Sequence, residues 1–234
     1  MEQLIEYFKD KHIASSLDVG CGTGNFIEVL KKAFPKAEIT GIDPDKDSLS
    51  EASKRFPEVA FQSMKGEEIQ FGDDSFDAAS ISMVLHHLSS VRQTLLEMKR
   101  VVKPGGWLVI NELFSDGQNP AQEVHKRMHH FRSKIDRMNG ITHNPAFTRK
   151  QIIEMIESAG LQLEFKFEFK NPAKIPSKDE IEERKSKLRA AVETIKGKEQ
   201  YQTLLAEIPE IEAALDKHGF EMSTRLVCVA MVVK

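Results

Sequence analysis

The segment LDVGCGTG at residues 17–24 constrains the fold of this chain more than any other stretch. A short apolar run ends near an acidic residue and passes into a turn with three glycines, after which apolar residues recur at helical spacing. Glycine tolerates the backbone angles of a sharp turn, and its missing Cβ lets a ligand approach the main chain closely. The sequence therefore predicts a strand, a ligand-binding turn and a helix that begins near Gly24, as at the start of a doubly wound α/β sheet.

The spacing of the glycines narrows the class of ligand. The dinucleotide pattern G-x-G-x-x-G would need glycine at position 25, where this chain has Asn25. Asp18 stands two residues before Gly20, and a carboxylate there suits an ammonium or hydroxyl group better than a pyrophosphate. A second acid, Asp43, follows the strand-like residues 37–42 and lies roughly 20 residues beyond the loop, where it can accept hydrogen bonds from ribose. Together these features favour S-adenosylmethionine over a nicotinamide dinucleotide.

Three later segments strengthen a resemblance to a known family. They are residues 71–77 (FGDDSFD), 84–88 (VLHHL) and 102–110 (VKPGGWLVI). With the glycine loop and Asp43, they resemble class I S-adenosylmethionine-dependent methyltransferases of the ubiquinone/menaquinone-biosynthesis and methyltransferase type 11 group. The resemblance implies a Rossmann-like α/β fold with a seven-stranded sheet of order 3-2-1-4-5-7-6 and strand 7 antiparallel. Strand four is expected over residues 76–85. Residues 161–170 alternate like an edge strand and residues 226–233 are apolar on both faces like an interior strand, which agrees with that order.

The chain is expected to form a single methyltransferase domain over residues 1–234 with two insertions. Residues 114–148 follow strand five, where the resemblance implies a lid over the substrate. Residues 172–219 place two helices between strands six and seven, the second with an apolar stripe of Leu204, Ile208, Ile211 and Leu215. The net charge of −3 offers no general attraction to nucleic acid, and two cysteines indicate no disulfide framework. With no signal-like start and no bilayer-length apolar run, we expect a cytoplasmic protein with no membrane partner. The oligomeric state is left open.

The resemblance implies that the cofactor lies across the carboxyl ends of strands one, two and four. Asp18 and the glycine loop would hold its methionine part, Asp43 its ribose, and Ser82 would lie near the sulfonium. Adenine recognition departs from the family pattern, because Lys65 stands where an acid is usual and offers no acceptor atom, so the Met64 backbone or Gln62 is expected to serve. The predicted cofactor-binding residues are Asp18, Gly20, Cys21, Gly22, Gly24, Asp43, Pro44, Met64, Lys65 and Ser82.

Candidate residues for catalysis and acceptor binding follow strands four and five. We assign catalytic roles to His87, which can remove a proton near neutral pH, and to Glu112, which can orient an acceptor. The acceptor-binding candidates are His86, Phe114, His125, His129, His130 and Arg132. His125 and His129 lie one helical turn apart and, with a third histidine, would suit a metal ion. Because that motif is incomplete, no metal ligand is assigned.

These observations predict a methyltransferase that transfers a methyl group in line to oxygen, nitrogen or carbon of a small molecule, with S-adenosylhomocysteine as product. A non-catalytic S-adenosylmethionine-binding or regulatory protein is an alternative, since an intact pocket permits binding without turnover. A nicotinamide-dependent oxidoreductase shares the architecture, but the glycine spacing disfavours it, and the one Tyr-x3-Lys match, Tyr7 to Lys11, precedes strand one. The sequence does not identify the acceptor.

Overall fold

A computed structural model describes residues 1–172 and 175–234 as a twisted sheet covered by helices. The strands are β1 (Ser15–Val19), β2 (Glu38–Ile42), β3 (Ala60–Gln62), β4 (Phe76–Ser82), β5 (Val102–Leu113), β6 (Leu161–Phe169) and β7 (Arg225–Val232). The helices are α1 (Glu2–Phe8), α2 (Ile27–Ala33), α3 (Lys46–Arg55), α4 (Val91–Val101), α5 (Pro120–Met138), α6 (Arg149–Ser158), α7 (Lys178–Glu193) and α8 (Tyr201–His218). A short 3₁₀ turn spans Leu85–His87.

The strand order is β3-β2-β1-β4-β5-β7-β6, which confirms the predicted fold. Strands β1 to β5 run parallel, and β7 enters antiparallel between β5 and β6. Most residues of β7 are buried, as expected for an interior strand, whereas exposed and half-buried residues alternate along most of β6 at the sheet edge. One apolar core packs α4 and α6 on one face of the sheet, and a second packs α1 and α2 on the other.

Two element boundaries near the glycine loop differ from the sequence prediction. The first core helix was expected near Gly24 but begins at Ile27, because Gly22 and Gly24 hold positive φ angles and the Gly24 amide bonds back to the Cys21 carbonyl at 2.9 Å. Strand four was expected to reach Leu85 but ends at Ser82, because Met83 takes a φ of +60° and turns the chain. Both differences lie at the carboxyl edge of the sheet, where ligands bind in doubly wound folds.

The two insertions form one helical layer. Val124, Phe131 and Ile135 of α5 share an apolar core with residues of α7 and α8, among them the predicted stripe Leu204, Ile208, Ile211 and Leu215. Positions 173 and 174 of the second insertion lie outside the described residues. Within the described ranges, no helix combines the length and apolar character needed to cross a bilayer.

Candidate active site

The glycine loop carries the chain from β1 to α2 beside the end of β4. Gly20, Gly22 and Gly24 have φ angles of +69°, +50° and +84°, which L side chains rarely adopt. A Cβ on Gly20 would lie 2.6 Å from Val84 Cγ2, whereas a Cβ on Gly22 would meet nothing within 4 Å. The loop is therefore packed tightly at Gly20 and open at Gly22, where a ligand can reach the backbone. Gly24 instead packs against Phe56.

Asp43 follows β2 and fixes the position of the loop. Its Oδ2 accepts a hydrogen bond from the Gly22 amide at 2.9 Å, and its Oδ1 accepts one from the Asp45 amide at 2.9 Å. A carboxylate offers about four acceptor positions in all. Asp43 therefore keeps acceptor capacity for the hydroxyl groups of a ligand.

A cavity of about 580 Å³ opens beside Asp43. Its wall consists of Val19, Gly20, Asp43, Pro44, Lys65, Gly66, Glu67, Glu68, Val84, His87, Leu88, Ser89 and Thr142. The volume lies within the range of about 300–1,000 Å³ that is usual for small-molecule sites. Predicted residues from four separate segments thus meet around one space.

On the adenine side of this cavity, Lys65 lies on the wall, whereas Gln62 does not. The Met64 side chain is buried in the sheet core, which leaves for a ligand only its backbone, the part assigned from the sequence. Glu67 and Glu68 also line this cavity, and neither residue was assigned from the sequence. Two consecutive acids shortly after β3 were the available signal, since either can accept a hydrogen bond from an amino group.

A second cavity, of about 440 Å³, lies on the other side of Gly20 and Val84, which line both spaces. Its wall includes Cys21, Gly22, Thr23, Ser82, Met83 and Arg225. The Cys21 side chain is buried, and burial raises the pKa of its thiol, so only its backbone is suited to ligand contact.

The exit of β4 contains a strained residue beside this second cavity. Met83 has a φ of +60°, and its amide donates to the Asn111 carbonyl at 2.7 Å. The Asn111 side chain donates to the Ser82 hydroxyl at 2.8 Å and so fixes its position. A non-glycine residue in the left-handed region costs about 1–3 kcal/mol and is concentrated at functional sites. The neighbouring β5 therefore holds Ser82 and Met83 in the conformation that shapes the cavity.

Asp18 lies behind the loop and on the wall of neither cavity. Its Oδ1 accepts a hydrogen bond from the Ser80 hydroxyl at 2.6 Å, and its Oδ2 is buried with no partner among the described residues. Burial raises the pKa of Asp18 to about 7, the Ser80 hydrogen bond opposes the shift, and the charge of Asp43 adds to it. The sequence analysis predicted that Asp18 contacts the methionine part of a cofactor. Because Oδ1 is bonded to Ser80, that contact would use Oδ2.

The two predicted catalytic residues have different environments. His87 lies on the wall of the 580 Å³ cavity, where an acceptor can reach it. The pKa of His87 is lowered to about 4, chiefly because neighbouring groups keep water from part of its ring and also because His86 and His143 lie close by. Glu112 is fully buried, contacting His86 Nδ1 at 2.8 Å and accepting from the Leu85 amide at 2.8 Å. Glu112 lies at the end of β5, as expected, but it lines neither cavity, and its catalytic role stays a prediction.

The comparisons with known proteins agree with this geometry. Residues 17–110 match the family model described as a methyltransferase domain. The matched segment holds the glycine loop, Asp43 and most of the parallel strands β1 to β5. The match confirms the resemblance seen in the sequence and supports S-adenosylmethionine as the cofactor of the domain.

Individual relatives show how much of this chain is similar to known proteins. Demethylmenaquinone methyltransferase from Thermotoga maritima is 34% identical over 112 residues, which cover 48% of this chain and 49% of that protein. A structure from Bacillus halodurans C-125, described as a candidate methyltransferase, has a TM-score of 0.68 at 18% identity, covering 100% of this chain and 98% of that one. Haemonchus contortus phosphoethanolamine N-methyltransferase 2, in complex with S-adenosylmethionine, has a TM-score of 0.58 at 16% identity, with 100% and 52% covered. The chain spans about half or less of the length of the curated relatives it matches.

None of the six predicted acceptor-binding residues lines either cavity. Phe114 is only 1% exposed and belongs to the sheet core, with the Arg149 guanidinium 4.8 Å from its ring centre. Arg132 is exposed and pairs with Asp136 at 2.7 Å. Contact of Phe114 and Arg132 with an acceptor stays a prediction.

The predicted histidines of α5 mainly contact the protein itself. His125 Nδ1 accepts from the Ser223 amide at 3.0 Å, and His130 Nε2 accepts from the Ala146 amide at 3.2 Å. His129 faces His143, which the sequence analysis had not assigned, with 3.1 Å between their Nε2 atoms. From this insertion, Thr142 is the residue that reaches the wall of the 580 Å³ cavity. Substrate contact by the histidines stays a prediction.

Proposed function

We propose that this chain is an S-adenosylmethionine-dependent methyltransferase that acts on a small-molecule acceptor. The observation that carries the proposal is the hydrogen bond between Asp43 and the Gly22 amide, because Asp43 lines one cavity and Gly22 the other. A nucleoside with an amino-acid chain attached would place its ribose at that junction. The open position at Gly22 and the unpartnered Oδ2 of Asp18 both fit such a ligand.

The contribution of the chain to the reaction would be alignment. When bound, S-adenosylmethionine would supply a methyl group that is already activated for displacement. Holding an acceptor in line with it is worth about 7–11 kcal/mol in favourable cases. His87 on the cavity wall would accept the proton of an O–H or N–H acceptor, while Glu112 would act through His86 as a positioning residue.

The acceptor is expected to meet residues outside the matched domain. The relatives are named for demethylmenaquinone and for C-methylation in ubiquinone and menaquinone biosynthesis, which makes a quinone-type ring one acceptor to test. Residues 114–148 follow the matched segment 17–110 and would form a lid that determines the acceptor. Oxygen, nitrogen and carbon acceptors all remain within the proposal, as do a cytoplasmic location and the lack of a nucleic-acid or membrane partner.

Cofactor binding is tested by calorimetry with S-adenosylhomocysteine. We expect wild-type protein to bind it and Asp43→Ala to bind roughly tenfold or more weakly, since loss of charge-assisted hydrogen bonds costs about 1.5–3 kcal/mol. Asp45→Ala is the matched control, because Asp45 caps α3 and lines neither cavity. Uptake of NADH with no uptake of S-adenosylhomocysteine would refute the cofactor assignment.

Catalysis is tested with methyl-labelled S-adenosylmethionine and a pool of small metabolites supplemented with a demethylmenaquinone. A labelled product would establish transfer and identify the acceptor. Tight binding of S-adenosylhomocysteine without any labelled product would favour the alternative of a non-catalytic binding protein.

A further inference from the structure

Three imidazole rings from separate segments converge beside the cavity wall. His86 belongs to the turn after β4, His129 to α5, and His143 to the loop between α5 and α6. One ring nitrogen from each lies within 4.8 Å of the other two, and the Nε2 atoms of His129 and His143 are 3.1 Å apart. His86 and His143 are buried and His129 is half-buried. The cluster therefore lies in a site that is largely shielded from solvent.

Carboxylates orient two of these rings through their Nδ1 atoms. His86 Nδ1 contacts Glu112 Oε1 at 2.8 Å, and His143 Nδ1 contacts Asp136 Oδ2 at 2.8 Å. A histidine that gives its Nδ1–H to a carboxylate presents an unprotonated Nε2, which is the arrangement found around metal-ligating histidines. Asp136 is in turn held by Arg132 at 2.7 Å. The second layer of partners needed by a metal site is thus already built from the chain.

The third ring, that of His129, has one nitrogen facing His143 and the other, Nδ1, buried with no hydrogen-bond partner among the described residues. The neighbouring His125 instead accepts a hydrogen bond from the Ser223 amide, and its ring centre is 6.5 Å from that of His129. The helical pair suggested by sequence spacing is therefore replaced by a set that only the folded chain brings together.

We propose that His86, His129 and His143 form a binding site for one divalent transition-metal cation of the Zn²⁺ or Co²⁺ type. Imidazole donors suit these ions, whereas Mg²⁺ and Ca²⁺ require oxygen ligands. Tetrahedral Zn²⁺ with Zn–N bonds of about 2.0–2.1 Å needs ligand nitrogens about 3.3 Å apart. The His129–His143 pair is already near that separation, and the longest separation in the set must close by about 1.5 Å or less.

Such an ion would connect the insertion to the turn after β4. The two segments already meet through the Asn144 amide, which donates to the His86 carbonyl at 2.6 Å. The ring of His87, on the cavity wall, lies 4.2 Å from that of His86 and 4.5 Å from that of His143. Metal binding would thus fix the acceptor side of the cavity. The proposal does not depend on methyl transfer and can be tested without it.

The first test measures metal binding by wild-type protein that carries no histidine tag and has been treated with a chelator. Co²⁺ is titrated by visible absorption, and Zn²⁺ is then added in competition. We expect one Co²⁺ per chain, with the intense bands of a low-coordinate nitrogen site that Zn²⁺ abolishes. The absence of saturable one-to-one binding of either ion would overturn the proposal.

The second test locates the ion with matched variants. His129→Ala and His143→Ala should weaken binding roughly 100-fold or more, and Asp136→Asn, which leaves the ligands in place, should weaken it roughly 10–100-fold. His125→Ala, one helical turn from His129, should keep the stoichiometry and affinity of wild type. Circular dichroism identifies any variant that does not fold, and Asp136→Asn then decides the outcome. Unchanged affinity in the folded variants, or equal loss in His125→Ala, would overturn the assignment.

Discussion

Gly20 shows how a missing side chain shapes the candidate cofactor site. It lines both cavities, has a φ of +69°, and faces Val84 at a distance that leaves no room for a Cβ. Two physical costs therefore meet at one position: the left-handed backbone conformation and the contact with Val84. They can be separated experimentally, because Gly105 has a φ of +74° but nothing within 4 Å of a built Cβ.

We predict that Gly20→Ala weakens S-adenosylhomocysteine binding by roughly tenfold or more and lowers the Tm. The left-handed conformation costs about 1–3 kcal/mol, and the overlap with Val84 displaces the loop from Asp43. Calorimetry and thermal melts measure both effects. Gly105→Ala should lower the Tm but leave affinity unchanged, and the double variant Gly20→Ala/Val84→Ala should regain part of the lost affinity. A Gly20→Ala protein that binds like wild type would show that this contact does not shape the site.

At the scale of elements, local patterns predicted the sheet better than they predicted the insertion. The alternation of β6 and the uniformly apolar β7 are local signals, and they placed both strands correctly. Glu112 and Phe114 were assigned to the reaction and to the acceptor, but both side chains are buried, and burial at the end of a strand depends on what packs over it. His86 and His143 come together only because the insertion folds back over the turn after β4. The spacing of residues along the chain does not predict that contact.

The packing of α5 against α7 and α8 gives the second prediction. Leu204 and Leu205 are adjacent in α8, but Leu204 is 2% exposed in the helical core and Leu205 is 37% exposed. Leu204→Ala should destabilise the helical layer by about 2–5 kcal/mol through lost burial and a cavity. Hydrogen exchange should then show faster exchange in α5, α7 and α8 than in the sheet.

The matched control for this prediction is Leu205→Ala, which removes the same atoms from an exposed position. It should leave exchange in α5 nearly unchanged. If both variants loosen α5 equally, burial of Leu204 does not hold the layer together. If Leu204→Ala accelerates exchange in β1 and β4 as strongly as in α5, the layer and the sheet unfold as one unit.

At the scale of the whole molecule, the buried acid beneath the loop makes global stability depend on pH. The pKa of Asp18 is about 7 in the folded protein, because burial disfavours its charged form, against a usual value of 3.8. Between these two values the folded protein holds a proton that the unfolded chain releases. This site therefore stabilises the fold fully below about pH 4, and its contribution is lost as the pH rises to about 7. The position retains a carboxylate despite that cost, which is consistent with a role in ligand binding.

The third prediction follows from the direction of this pKa shift. In ligand-free protein, the free energy of unfolding of wild type minus that of Asp18→Asn should fall as the pH rises from about 4 to 7, by an amount on the order of 4 kcal/mol at most, and stay flat above about pH 8. Asparagine can still accept the Ser80 hydrogen bond but does not titrate. Urea unfolding at several pH values measures the difference, and subtraction of the variant cancels groups common to both proteins. Asp45→Asn is a control of opposite sign, because hydrogen bonds from Ser48 and Asp47 lower the pKa of Asp45. The free energy of unfolding of wild type minus that of Asp45→Asn should therefore rise with pH, and only near pH 4 and below. If the difference between wild type and Asp18→Asn does not change across this range, Asp18 is solvated in the ligand-free protein. Its Oδ2 would then not be an unpartnered atom available to a ligand.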